Sequence, residues 1–250
     1  MALKWWLRGL AVLGMFGYSA VSLALNNAAW TARTFAPLTS IYSYNASWLN
    51  NQRTTSLIRR IKNSPGAEQL NPQTLALAIQ AYQRSLKNGI TPQKPLITII
   101  DYSLPSSQKR LWVIDLNRGK VLYNSLVAHG KNSGRGRFAK HFSNRAQSLQ
   151  TSLGVFLTED TYFGRDGFSL RLEGLERGIN DNAKKRFIVI HGAPYVSQKT
   201  VARTGKVGCS WGCPAVEPQL AKPIIDTIKD GSLVFAFYPD KTYLKNSRFL

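Results

Sequence analysis

"RLWVIDLNRGKVLYNSLV", residues 110–127, reads as two short strands rich in β-branched and aromatic residues. A turn containing Asn117 and Gly119 joins them. The same texture continues on either side. "LITIID" (96–101) precedes the pair, and "GVFLT" (154–158), "FSLRL" (168–172), "RFIVI" (186–190) and "SLVFAFY" (232–238) follow it. A single late helical stretch, "EPQLAKPIIDTIKDG" (217–231), interrupts this series and stops at Gly231. Many short strands with few helices predict a mainly β domain over residues 96–240, either a sandwich or a partly closed barrel.

Upstream the pattern changes. Residues 26–95 read as a small helical region. It contains a short helix near "SLIRRIKNSPG" (56–66), ended by Pro65 and Gly66. "NPQTLALAIQAYQRSLKNG" (71–89) is a clear helix, with Asn71 as cap, Pro72 in the first turn and Gly89 just past the end. Leu75, Ile79, Tyr82 and Leu86 recur at helical spacing and predict the face that packs on the β domain. Residues 1–25 place Lys4 and Arg8 before an apolar run, Gly9–Leu25, with small residues Ser22 and Ala24 near its end. That order predicts an export signal, either cleaved or kept as an N-terminal membrane anchor. Residues 241–250 form a basic tail.

The bulk numbers bound the function. The chain has 250 residues, 44% of them hydrophobic, with 33 basic against 13 acidic side chains and a net charge of +20. This is enough apolar material for one sizeable core, and it excludes a disordered chain. The charge predicts anionic surroundings. An exported protein with no nucleic-acid recognition motif leaves the cell wall or a membrane face rather than DNA or RNA. Its two cysteines, Cys209 and Cys213, exclude a disulfide scaffold.

Those two cysteines lie in "KVGCSWGCPAV" (206–216). Their spacing fits no standard zinc knuckle, and with His191 they lack a fourth ligand, so no metal is expected. His191 follows the apolar strand "RFIVI" and precedes Gly192, which places it where a core element opens to solvent. A histidine in reach of Cys213 can take the thiol proton and return it to a leaving amine. The amides of Gly212 and Cys213 could hold the oxyanion if the loop turns tightly. A Cys209–Cys213 disulfide would silence such a nucleophile; the plainer reading makes Cys209 a small buried residue.

The runs "TSLGVF" (151–156), "FIVIHGAPYV" (187–196), "GKVGCSWGCPAV" (205–216) and "DGSLVFAFY" (230–238) resemble the murein L,D-transpeptidase catalytic-domain family, a branch of the YkuD-like enzymes. The likeness extends to "LWVIDLNRGKVLYNSLVAHGKNSG" (111–134) and "SLRLEGLERGINDNAKKR" (169–186), so it spans roughly residues 97–239. The resemblance implies a β-rich catalytic fold, Cys213 as nucleophile, His191 as base, and Ser210 as the motif serine that orients histidine or substrate. It further implies a thioester formed on peptidoglycan stem peptides, release of D-alanine, and a 3→3 cross-link made with a second stem peptide, without any cofactor. Two departures stand out: Ala215 where the broader family often has Arg or Asn, and Cys209 where a basic residue is expected before the serine.

Further candidates border that site. Gly192, Trp211, Tyr195, Arg171 and His129 are candidate substrate-binding residues, and Arg186 is a second possible carboxylate binder. His129 repeats the His-Gly pair after a strand, as an alternative base or a satisfied structural histidine. His141 reads as a surface residue. Lys131, Arg135, Arg137 and Lys140, interleaved with glycine and serine, read as a cationic loop. The rivals to a transpeptidase are an L,D-carboxypeptidase on the same scaffold and a non-catalytic cationic module that binds the wall.

Overall fold

The computed structural model describes residues 52–250; the expected export segment, residues 1–25, lies outside the described residues. Two helices, α1 (Gln52–Lys62) and α2 (Pro72–Lys87), precede the strands β1 (Leu96–Asp101), β2 (Leu111–Asp115), β3 (Lys120–Ser125), β4 (Gly154–Gly164), β5 (Gly167–Gly174) and β6 (Val189–Gly192). Then come α3 (Gln198–Thr204), β7 (Ala215–Val216), α4 (Pro218–Ile228), β8 (Leu233–Phe237) and α5 (Lys241–Asn246). No described helix is long and apolar enough to cross a membrane.

The strands form one sheet in the order β3-β2-β1-β8-β4-β5-β6-β7. β1 runs parallel to β8 and antiparallel to β2, and β6 runs parallel to β7. Beyond β3 the chain reaches the opposite edge. Val127 bridges Val216 in β7, and Ala128 N–H donates to Ala215 O at 2.8 Å. The two edges are thereby joined and the sheet nearly closes, which removes the unpaired strand edge that favours association. This is the mainly β, partly closed architecture the strand pattern predicts.

The core follows from burial on both faces. All six residues of β1 and all five of β8 are buried, because the barrel interior lies on one side and α2 packs on the other. A strand covered on two faces is apolar throughout instead of alternating. α2 begins as expected, with the Asn71 side chain accepting from Gln73 N and Thr74 N. Its buried face differs in detail: Leu75, Ala78, Ile79, Ala81 and Ser85 face inward, while Tyr82 is half-buried and Leu86 is exposed. Small side chains let the helix approach closely, so the contact stripe runs through Ala78, Ala81 and Ser85 beside Leu75 and Ile79. Hydrogen bonds fasten the helical region to the sheet, from Thr74 Oγ1 to Asp101 Oδ2 (3.0 Å) and from Trp112 Nε1 to Gly66 O (2.8 Å).

The terminal segment is more than a basic tail. α5 is capped by Asp240, and Tyr243, Leu244, Phe249 and Leu250 are buried. Ser247 Oγ donates to Glu176, whose carboxylate also accepts from Val155 N. At the closure of the barrel, Leu126, Ala128, Ala193, Val196, Val207 and Ala215 form a small apolar cluster. This cluster pins the cysteine-bearing loop to the exit of β6.

Candidate active site

β6 is four residues long and lies between β5 and β7. In that ladder His191 pairs with Ser169 on one side and Ala215 on the other. Cys213 lies two residues upstream of Ala215, so the topology alone brings the His191 and Cys213 segments to one end of neighbouring strands. His191 is buried, and its Nδ1 contacts Gly192 O at 3.0 Å. A carbonyl can only accept, so Nδ1 carries a proton, and in the neutral imidazole the lone pair is then on Nε2. That is the tautomer a general base needs.

The thiol rests differently. Cys213 Sγ donates to Phe187 O at 3.5 Å, and no hydrogen bond joins it to His191 among the described residues. Burial pushes its pKa up to about 11, opposed by the Val189 N–H and by Arg186, while Asp166 pushes further upward. At neutral pH the resting sulfur is therefore a thiol, and a base must remove its proton during the reaction.

The shape of the loop is set by small residues and one hydroxyl. Ser210 Oγ donates to Cys213 O at 2.6 Å and accepts from Gly212 N at 3.1 Å. Ser210 thus holds the turn itself, and the Gly212 amide is engaged within it. Gly212 has φ +133°, and a Cβ there would meet Gln150 O at 2.9 Å. Three non-glycine residues with positive φ gather in the neighbouring segments: Gln147 (57°), Leu149 (55°) and Phe187 (54°). Such conformations persist only where surrounding contacts over-determine them.

Arg186 supplies many of those contacts. Its guanidinium donates to Ser143 O, Ser152 Oγ, Ser148 Oγ (3.1 Å) and Gln150 O (2.6 Å). It therefore clasps the 143–152 segment beside Gly212, with its donors spent on protein groups rather than on a free carboxylate. This clasp, the Phe187 carbonyl and the Val189 amide were not legible in the sequence. The only local hint was that Arg186 immediately precedes the apolar strand.

The other candidates separate. His129 is buried, with Nδ1 accepting from Arg110 Nη2 (2.9 Å) and Nε2 donating to Gly134 O (3.0 Å). Burial and the Arg110 charge lower its pKa to about 4. It is a satisfied structural histidine. Gly192 is explained by packing, since a Cβ there would stand 2.9 Å from Ala221 Cβ on α4. Arg171 forms an ion pair with Asp160 at 2.6 Å and lies over the Tyr162 ring. Tyr195 is half-buried against Gly208, and burial followed by the charges of Cys213, Asp166 and Cys209 raises its pKa to about 12. Tyr195 thus belongs to the thiol's surroundings. Trp211 is 63% exposed and contacts Arg165 at the tip of the β4–β5 hairpin. Cys209 and Cys213 are both free thiols. Among the described residues no group of three or more His, Cys, Asp or Glu side chains is placed to hold a metal.

Comparisons with known proteins come to one theme. A family profile described as the L,D-transpeptidase catalytic domain matches residues 66–237. No curated protein matches the chain. Among solved structures, the chain is similar to an L,D-transpeptidase from Mycobacterium smegmatis, with 15% identity and a TM-score of 0.36, covering 58% of this chain and 59% of that one. It is similar to an L,D-transpeptidase from Stackebrandtia nassauensis (16%, 0.35, covering 74% and 77%). It is also similar to the helical cell shape determining protein of Campylobacter jejuni (14%, 0.38, covering 66% and 57%). The chain thus spans less than two thirds of the mycobacterial and Campylobacter chains.

Proposed function

The chain belongs to the L,D-transpeptidase catalytic-domain family, and on that premise we propose that it is an exported cysteine transpeptidase acting on peptidoglycan stem peptides. The observation that carries this reading is the convergence of His191 and Cys213 at the β6–β7 end, within the matched segment. Of the two His-Gly histidines, His191 is the one with an imidazole nitrogen unengaged among the described residues.

The chemistry follows from that arrangement. The reaction requires Sγ to leave Phe187 O and meet His191 Nε2, which accepts the thiol proton as sulfur attacks the donor amide carbon. A C–S bond forms, and the carbonyl π electrons move to oxygen. The Cys213 N–H serves the oxyanion, because the Gly212 N–H is already donated to Ser210 Oγ. Collapse breaks the C–N bond, and the imidazolium returns its proton to the departing D-alanine amine. An amine from a second stem peptide then attacks the thioester, His191 takes that amine's proton, and Cys213 leaves as thiol. The product is a 3→3 cross-link. The N-terminal basic-then-apolar segment supports delivery to the periplasm or wall, where this substrate lies.

The test incubates full-length protein with disaccharide-tetrapeptide under reducing conditions and follows products by mass spectrometry. A cross-linked dimer with D-alanine release is expected, and Cys213→Ala should form neither. Tripeptide alone would replace transpeptidation by hydrolysis on the same thioester. No product from the intact chain would sink the enzymatic reading.

A further inference from the structure

The loop from Lys131 to His141 borders a cavity of about 550 Å³ together with Gln150. Lys131, Arg135, Arg137 and Lys140 are all exposed around it. No Asp or Glu occurs between Asp115 and Glu159 in the sequence. None of the four enters an ion pair among the described residues, whereas Arg171, Lys184, Lys222 and Lys229 all do. Four like charges held around one concavity repel one another, and this folded unit supplies them no counter-charge.

The backbone that carries them is tied down. Ser133 O accepts from Lys140 N (2.7 Å) and His141 N (3.0 Å), and Gly134 O accepts from His129 Nε2. Ser106 N donates to Arg137 O at 2.7 Å, and Lys206 Nζ donates to Arg135 O. A Cβ on Gly134 would stand 2.1 Å from Phe138 O, so glycine is required for the two limbs of the loop to touch. The carbonyls thus point into protein contacts, while the cationic heads are left to solvent. Such a rigid frame keeps the entropy of ordering low when an anion binds.

Two residues that line the cavity, Lys131 and Gln150, also touch the nucleophile loop. Lys131 N donates to Ser210 O at 2.9 Å, and Gln150 Nε2 donates to Asn132 O at 3.2 Å. The Gln150 carbonyl lies within 2.9 Å of where a Gly212 Cβ would be. The cavity lining is therefore in direct contact with the loop that carries Cys213.

From this geometry we infer that the Lys131–His141 loop is an anion subsite, separate from the thiol and imidazole, that takes carboxylates of the wall peptide processed at Cys213. The identity of the ligand rests on the proposed transpeptidase reading; the site itself does not. A concave pocket beside the nucleophile suits a short peptide, where a membrane surface would call for a flat cationic face. Charge-assisted contacts of guanidinium and ammonium to carboxylate supply the affinity. They weaken as salt shortens the screening length.

The test compares wild type with an Arg135→Gln/Arg137→Gln double variant, whose thermal melt checks that folding is intact. With disaccharide-tetrapeptide as substrate, KM should rise about threefold to tenfold while kcat stays within about twofold. A substrate with its carboxylates amidated should show no difference between the two proteins. Independently of turnover, isothermal titration of the same tetrapeptide into Cys213→Ala protein should lose affinity by a similar factor when both arginines are replaced. Unchanged KM and unchanged affinity would overturn the subsite. So would tight binding of inorganic phosphate with none of the peptide. Arginine-dependent peptide binding by a chain that releases no D-alanine would leave the subsite standing and remove the transpeptidase reading instead.

Discussion

The molecule contains two His-Gly dipeptides, each just past or at the end of a strand, and they have different chemistry. His129-Gly130 follows β3, and both imidazole nitrogens are engaged, one by Arg110 and one by Gly134 O. His191-Gly192 ends β6, and among the described residues only Nδ1 is engaged, by its own neighbour's carbonyl. The first histidine is held neutral by burial and an adjacent cation. The second keeps an open nitrogen near the loop that carries Cys213. Local sequence cannot separate the two, because the difference lies in partners that arrive from elsewhere in the chain. Arg110 meets His129 only because β2 and β3 pair and the chain then turns toward β7.

The sharpest way to break this contrast is to exchange the roles. His191→Ala should lower kcat/KM by about 10²–10⁴, as removal of a general base does, with little change in the denaturation midpoint. His129→Gln should leave turnover within a fewfold and lower stability by about 1–3 kcal/mol, because it leaves buried Arg110 donors mismatched. Steady-state kinetics with urea melts on both variants decide it. A catalytic collapse in His129→Gln with His191→Ala active would reverse the assignment.

A second test uses pH. The folded pKa of His129 is depressed from 6.5 to about 4, so between those values the unfolded chain binds more protons. The stability contribution is fully present above pH 6.5 and is lost as pH falls toward 4, by up to about 3 kcal/mol. Buried Asp101 and Glu176, whose pKa values are raised by burial, act in the opposite sense at the acid end. The comparison of wild type with His129→Gln isolates the limb: urea unfolding against pH should be steeper in wild type over that window. Identical slopes would mean the histidine is not held neutral.

A third test concerns the two glycines, where the expected difference between the two losses is only about 1–2 kcal/mol. A Cβ on Gly130 would stand 2.4 Å from Leu149 O, a backbone atom with little room to move. A Cβ on Gly192 would stand 2.9 Å from the Ala221 methyl and 3.3 Å from Pro218 Cα. Gly130→Ala should therefore lower stability by about 2–3 kcal/mol and Gly192→Ala by about 1 kcal/mol, the range seen for overpacked cores. Thermal melts give the ranking, and equal losses would blur the contrast.

Most of the strands were legible because their signal is local. "LITIID" and "SLVFAFY" are apolar at nearly every position, which is what burial on two faces demands. The cap at Asn71 was equally plain, since a single side chain decides it; the stop expected at Gly231 falls earlier, with the helix ending at Ile228 and Asp230 taking the first positive φ. The inward face of α2 was less plain: Leu86 reads as core but is exposed, because the small side chains of Ala78 and Ala81 set how the helix lies. Residues 241–250 read as a basic tail, and the structure adds that Phe249 and Leu250 are buried and Ser247 is bonded to Glu176. Their charge was visible, whereas their partner lies far back in the chain. At the site, the order of His191 and the S-x-G-C run was readable, but the use of Ser210 and Gly212 within the turn was not.

What the amino-acid order determined by itself was the β texture, the N-terminal cap of α2, the excess of cations and the presence of one histidine–thiol pair in a family's order. Pattern, caps and charge are properties of neighbours along the chain, so they survive without a fold. What only the tertiary structure decided was which histidine is open, how high the thiol titrates, where Arg186 spends its donors, and which cations are left without a counter-charge. Each of these depends on desolvation and on groups brought close by strand pairing, and neither exists until the barrel closes.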